Sequence, residues 1–261
     1  EYGYASVWKN GLKVRNRGMD LNIQAFVLPE ESKLQWIPSV NVNYNQNTLM
    51  ALPDGLQEMV IGTGVTAQML KVGHAIDQYW LLQNQGIYNR ESDIPINPAT
   101  NQKETYKGTT LMAGDAIWRD VNGDHTIDDN DRVMMGHYLP KVSGSFSSDF
   151  LYRNFTLSFT LYAVLGRKVL NQEMSNRLDF VNNEGSISMN SIKEITFWQK
   201  TGDYSKYPLY NPWSDVEPYQ ADQDLFLENA SFLKLRNVSL QYDFTKARWW
   251  NKKAPVRGLT A

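Results

Sequence analysis

The sequence predicts an all-β protein, an antiparallel segment of a transmembrane β-barrel wall carrying long extracellular loops. Three observations point there. Apolar and polar residues alternate over stretches of strand length, the connections between those stretches are very unequal, and an oxygen-rich acidic run is set between segments that read as membrane-type strands.

The alternation is clearest in three stretches. From Leu34 the even positions run Leu34, Trp36, Pro38, Val40, Val42 and Tyr44 against Gln35, Ser39, Asn41, Asn43 and Asn45. Further on, Val142, Gly144, Phe146, Phe150 and Tyr152 oppose Ser143, Ser145, Ser147 and Asp149. After Arg153-Asn154 the phase restarts, with Phe155, Leu157, Phe159, Leu161, Ala163 and Leu165 against Thr156, Ser158, Thr160 and Tyr162. Successive strand side chains point to opposite faces, so each stretch has one greasy and one polar side. Lengths of about 10–12 residues suit a tilted membrane-crossing strand better than a sandwich strand. Tyr44 and Tyr152 fall where an interfacial aromatic girdle needs them. A fourth stretch is less regular. Val238, Leu240, Tyr242 and Phe244 alternate with Asn237, Ser239, Gln241 and Asp243, but Leu233 and Leu235 occupy the other phase. Either a bulge or an exit from the apolar band near Arg236 accounts for that slip.

Connections 29–33 and 153–154 are short, whereas 45–107 and 166–227 are long and rich in Asn, Gly, Pro and aromatics. Short turns on one rim and long loops on the other mark an outer-membrane barrel. The competing architecture is a secreted or surface-exposed β-sandwich, a carbohydrate-binding module with a calcium loop, whose strands alternate in the same way with the apolar side inward. Long structureless connections fit a compact sandwich poorly.

Composition narrows the function. The chain has 261 residues, a net charge of −2 and no cysteine. There is thus no bulk attraction to nucleic acid, and disulfides and thiolate metal sites are excluded. The histidines are only His74, His125 and His137, so a clustered zinc site is not expected. No apolar run approaches the ~20 residues of a spanning helix, and the first residues lack the basic and apolar regions of a signal peptide. No nucleophile elbow, P-loop, dinucleotide turn or HExxH is present, so an enzyme is not expected.

The acidic run covers residues 120–131 within a loop at 115–136. Asp120, Asn122, Asp124, Asp128 and Asp131 stand at positions 1, 3, 5, 9 and 12 of an EF-hand-like loop, with Thr126 at position 7, which offers a backbone carbonyl. That spacing suits calcium or another hard divalent cation such as magnesium. Asp131 replaces the usual Glu, and His125 replaces the Gly of the sharp turn. The alternative is an acidic turn without metal. A second candidate region holds Trp198, Tyr204, Tyr207, Tyr210 and Trp213 among Pro208, Pro212 and Pro218. Such aromatics either stack on a ligand's sugar rings or pack under the loop and against a partner protein. Residues 191–199 read as a short helix.

Four stretches then resemble the SusC/RagA-type TonB-dependent transporters of Bacteroidota. Val14-Arg15-Asn16-Arg17-Gly18-Met19-Asp20-Leu21 is similar to that family's R-N-K-G-x-E-L strand start. Val72-Gly73-His74 followed by Gly86-Ile87-Tyr88 resembles its V-G-x-P…D-G-I-Y segment, with Ala75 in place of Pro. Residues 115–136, followed by Leu139-Pro140-Lys141, resemble its D-x-N-G-D-G-x-I-D-x-N-D-R loop, with His125 in place of Gly. Phe232-Leu233-Lys234-Leu235-Arg236-Asn237-Val238-Ser239-Leu240 resembles its Y-L-K-L-R-N-I-S-L strand, with Gln241 in place of the following Gly.

The resemblance implies that residues 1–261 are the C-terminal part of a barrel that closes at about 22 strands, with the plug, the first half of the barrel and the last strands lying elsewhere. Roughly eight to ten of those strands are expected here. It also implies the bacterial outer membrane, TonB-driven uptake of oligosaccharides or peptides, and a SusD-like surface lipoprotein as lid. Strand 141–152 would then run inward and place the acidic loop at the extracellular mouth.

Overall fold

The computed structural model describes residues 11–178, 195–211 and 214–244. Its backbone is one five-stranded antiparallel wall with two folded loops on one rim. The wall runs, in spatial as in chain order, β1 (Lys13–Gln24), β2 (Leu34–Ala51), β3 (Val142–Tyr152), β4 (Phe155–Leu165) and β5 (Phe232–Tyr242).

The register explains why the sequence alternates. Ile23 pairs with Val40, Val40 with Phe146, Phe146 with Leu161 and Leu161 with Leu235, so one apolar row crosses all five strands. Parallel to it, Met19, Tyr44, Val142 and Leu165 line up, as do Leu34, Tyr152, Phe155 and Tyr242. The intervening rows carry Asn22, Asn41, Ser145, Tyr162 and Lys234, all on the opposite face. A slip of one residue would exchange the two faces of a strand, so the pattern strongly specifies the pairing. One hydroxyl interrupts the apolar side: Ser148 lies beneath Trp36, whose Nε1 donates to its Oγ at 2.8 Å while the indole stacks on Phe150.

The apolar face is uncovered. Val238 and Leu240 are 58% and 64% exposed, and Ile23, Leu157 and Leu235 are exposed beside them. A sandwich requires a second sheet over this face, and among the described residues none lies there. From Leu34 to Tyr44 the band extends about 33 Å along the strand, or about 25 Å across a membrane at the ~40° tilt usual for barrels. The aromatic belt is partly as expected. Tyr152 ends β3, with Phe155 and Tyr242 beside it, their ring centroids 4.7 Å apart. Tyr44 is level with the first residue of β3, but β2 continues beyond it to Ala51.

The slip in the last strand is a bulge. Thr160 pairs with Asn237 and Leu161 with Leu235, leaving Arg236 as the extra residue. This one insertion returns Leu235 and Leu233 to the apolar face. The Arg236 guanidinium lies 5.9 Å from the ring of Tyr162, a residue of the polar face.

The expected eight to ten wall strands become five among the described residues. The remaining strands are two to four residues long and pair with each other inside the loops. Four residues reach only about 13 Å, too short to cross a bilayer. The loops are therefore not structureless, and they contain the buried core. Leu82, Tyr88, Ile94, Tyr106, Trp118 and Ile127 belong to one cluster, with Val216 of the second loop packed among them. The extension of β2 past Tyr44 holds this layer to the wall. Asn47 donates to Asp77 Oδ1 at 2.9 Å and accepts from the Ile76 amide at 2.7 Å, and Leu49 exchanges backbone bonds with Gly73 and His74.

Candidate metal loop and loop aromatics

The acidic run is suspended from three short ladders. Ala116–Trp118 pairs with Asn84–Ile87, Thr126–Ile127 runs parallel to Thr105–Tyr106, and Arg132–Met135 pairs with Tyr79–Leu82. Trp118 and Ile127 are buried, the indole tilted against Tyr106 at 4.7 Å, so both ends of the run are anchored in the loop core. Gly123 (φ 78°) and His125 (φ 63°) are left-handed. Position 6 therefore keeps the backbone shape that normally calls for glycine, and His is among the residues that tolerate it.

The carboxylates mostly serve this backbone. Asp120 accepts from the amides of Gly123 (2.7 Å) and His125 (2.9 Å). Asn122 accepts from Asp124, Asp124 from Thr126 and Asp128 from Asn130, a chain of side-chain-closed turns. Asp131 is fully buried, with its two oxygens on the amides of Val121 and Asp128. It clasps the two ends of the run together.

Among the described residues, the groups that come together at metal-ligand spacing are Glu104, Asp120 and His125, one ligand atom of each lying within 4.8 Å of the others. Glu104 was not anticipated: it lies outside the acidic run, beside the two-residue ladder that brings the segments together. It is buried and accepts from the Tyr88 hydroxyl at 2.5 Å. Burial pushes its pKa up, the Tyr88 hydrogen bond opposes that, and the charge of Asp120 adds to it. The Tyr88 hydroxyl is itself held well above its ordinary range, first by burial and then by Glu104. Nδ1 of His125 is closed off from solvent and has no hydrogen-bond partner. Two carboxylates and an imidazole whose Nδ1 has no hydrogen-bond partner fit a divalent cation.

Beyond the run, Arg132 joins the two loops. Its Nη2 lies 2.6 Å from Asp222 and 2.8 Å from Asp129, and the Asp222 carbonyl accepts from the Leu82 amide at 2.9 Å. Asp224 accepts from the Asn84 amide at 2.7 Å, and Gln223 accepts from Trp118 Nε1 at 3.0 Å.

The loop aromatics divide into two groups. Trp198 is buried, with Nε1 on Asn89 Oδ1 at 3.3 Å and its ring against Gly114. Tyr207 and Tyr210 pack with Phe197 on a cluster built around Leu178, Tyr219 and Phe226. Tyr204 alone of the described four is in solvent, 99% exposed. Trp213 lies outside the described residues. Of the expected helix at 191–199, the described part is extended: Phe197 bridges Tyr207 and the Trp198 amide donates to its carbonyl. Within the described part, Ile195 and Phe197 pack on the cluster around Tyr219 and Phe226, and Trp198 is buried.

No family model matches the chain. Individual relatives do. TonB-dependent receptor P39 of Formosa agariphila is 27% identical over 94% of this chain and 25% of its own length. The TonB-dependent receptor SusC of Bacteroides thetaiotaomicron is 25% identical over 92% of this chain and 21% of its own. Among solved structures, the RagAB peptide importer in its "open-open" state matches with a TM-score of 0.65 at 16% identity, over 96% of this chain and 25% of that one. The RagAB peptide transporter matches at 0.60 and 17%, over 92% and 24%. The chain thus spans about a quarter of the length of the relatives it matches. The chain is thus similar in sequence, over nearly its whole length, to a portion of SusC-type TonB-dependent receptors, and it shares the wall fold of the RagAB structures.

Proposed function

We propose that the chain forms wall and loops of an outer-membrane importer that takes up oligosaccharides or peptides, is driven through TonB, and works with a SusD-like surface lipoprotein. The observation that carries this reading is the uncovered apolar face, laid out in register across β1 to β5, with folded loops gathered on one rim. A wall with greasy exterior and polar interior is what lipid on one side and a hydrated lumen on the other require. Peptides are kept beside oligosaccharides because the RagAB structures are of a peptide importer. The test is deletion of the full-length gene in its own host, followed by uptake of labelled oligosaccharide and peptide mixtures and by pull-down of the tagged receptor. Loss of uptake for one class, with a surface lipoprotein co-purifying, is the expected result. Unchanged uptake of both classes refutes the importer.

We further propose that the acidic loop takes a structural divalent cation; its EF-hand-like spacing, taken alone, suits calcium. The crowding of carboxylates in the run supports this, because a divalent charge relieves their repulsion and pins the loop as a docking surface. Among the described loop aromatics, Tyr204 is the one exposed to meet a lid or ligand. Asp120→Ala combined with Asp124→Ala should then loosen the loop and weaken lid affinity, as a chelator does for the unmodified receptor. Loop order and affinity indifferent to both treatments would end this second proposal.

A further inference from the structure

We infer that the ion in this loop is a borderline transition metal of the zinc type, held by Glu104, Asp120 and His125, and that it staples the acidic run to the neighbouring hairpin. The inference rests on the reading that the loop takes an ion, and changes both the ligand set and the metal class.

Three independent features support it. The ligand atoms of Glu104, Asp120 and His125 lie within 4.8 Å of one another. A tetrahedral ion with bonds of about 2.1 Å separates its ligands by about 3.4 Å, so side-chain movements of roughly 1 Å complete the site. The backbone already sets the segments side by side: the Thr105 amide donates to the His125 carbonyl at 3.1 Å, and Thr126–Ile127 pairs with Thr105–Tyr106. Finally, Nδ1 of His125 is buried without a hydrogen-bond partner, although a neutral imidazole nitrogen is a good acceptor and a good metal ligand.

The donor set decides the metal class. Calcium takes six to eight oxygens, whereas zinc accepts imidazole nitrogen and carboxylate oxygen at low coordination number. The oxygens of Asp131, like those of Asp120, each receive one backbone amide, and Asp124 and Asp128 close turns of their own. Position therefore decides: among the described residues the ligand atoms that lie together are those of Glu104, Asp120 and His125. Tyr88 supplies the outer contact such sites need, its hydroxyl orienting the Glu104 carboxylate. The fourth position remains for water or for a group brought by a partner.

The experiment uses the full-length receptor in detergent, stripped with a chelator and titrated separately with zinc, cobalt and calcium. The expected result is one zinc equivalent and a tetrahedral cobalt absorption spectrum, both weakened at least tenfold by Glu104→Gln and by His125→Asn. Asparagine tolerates the left-handed backbone at 125, so the second variant keeps the fold of the loop. Asp124→Asn and Asp128→Asn should leave zinc affinity within twofold. Calcium binding that depends on Asp124 and Asp128 but not on Glu104 or His125 overturns this assignment and leaves the ion-binding loop standing. If none of the three metals is retained by wild type above the Asp120→Ala background, both fall, without consequence for the transporter wall.

Discussion

Val238 offers a direct test of what the apolar face touches. It lies midway along β5, opposite Phe159, and is 58% exposed, so replacing it disturbs little protein packing. Were that face in water, Val238→Arg would change stability by no more than about 0.5 kcal/mol. Facing hydrocarbon near the bilayer midplane, the same change costs about 2–4 kcal/mol, falling to about 0–1 near the interfaces. The neighbouring Asn237 is on the polar face, and Asn237→Arg should be close to neutral. Tyr242, seated in the aromatic row at the short-turn rim, should give an intermediate loss as Tyr242→Arg. The assay is denaturant unfolding of the full-length receptor from phospholipid vesicles, read by tryptophan fluorescence. Equal effects at 237 and 238 would falsify the assignment of the two faces, whatever the absolute values.

Other changes probe the loops and the bulge. Arg132→Met leaves Asp222 buried without its partner, at a cost of about 3–5 kcal/mol, and should uncouple the two loops. Faster hydrogen exchange at the Leu82 amide, which donates to Asp222, is the readout. Burial raises the pKa of Asp115 from 3.8 to about 6, against the lowering effect of the Met112 amide. The folded protein therefore holds this proton more tightly than the unfolded chain. The contribution is complete below about pH 4 and is lost as pH rises through about 6, by up to about 3 kcal/mol. In Asp115→Asn this slope should vanish from the exchange rates of residues 88 and 112–115. Deleting Arg236 removes the extra residue and sets Leu235 directly before Asn237 in the alternation, so Leu233 and Leu235 keep the apolar face in a regular strand. Assembled receptor in the membrane should stay near wild type for this deletion and for Arg236→Ala alike, and a severalfold loss in the deletion alone would refute the assignment of Arg236 as the extra residue.

The wall was legible because its two solvents imprint a period of two on every strand. Even the irregular stretch could be narrowed to a slip at Arg236. Choosing between a bulge and an exit required the partner strand, since register is a property of the pair. The loop interior was not legible. Strands such as Gln102–Lys103 and Thr105–Tyr106 are too short to carry a pattern and exist only because tertiary partners hold them. Glu104 stayed hidden for that reason, being an ordinary charged residue between Lys103 and Thr105 in sequence. The six oxygen donors at 120–131 were found by spacing, but spacing is blind to which carboxylates close turns. The loop aromatics stand out in the sequence as a group open to stacking or packing, and only the fold separates buried Trp198 from Tyr204 in solvent.

The joint between β2 and β3 bears on how such a wall is put together. Their pairing, Trp36 with Phe150 for example, joins residues separated by the entire first loop. Closing a flexible connection of ~90 residues costs about 4 kcal/mol of chain entropy before the first strand bond forms. The loop, however, brings its own ends together: Asn45 donates to the Lys141 carbonyl at 3.1 Å, and Leu49 is tied to Gly73 and His74. A loop that has already collapsed in water thus presents β2 and β3 to each other as neighbours. Assembly of this stretch would then proceed from the rim toward the short turns, and the folding rate of the wall would be set by a part of the molecule that never enters the membrane.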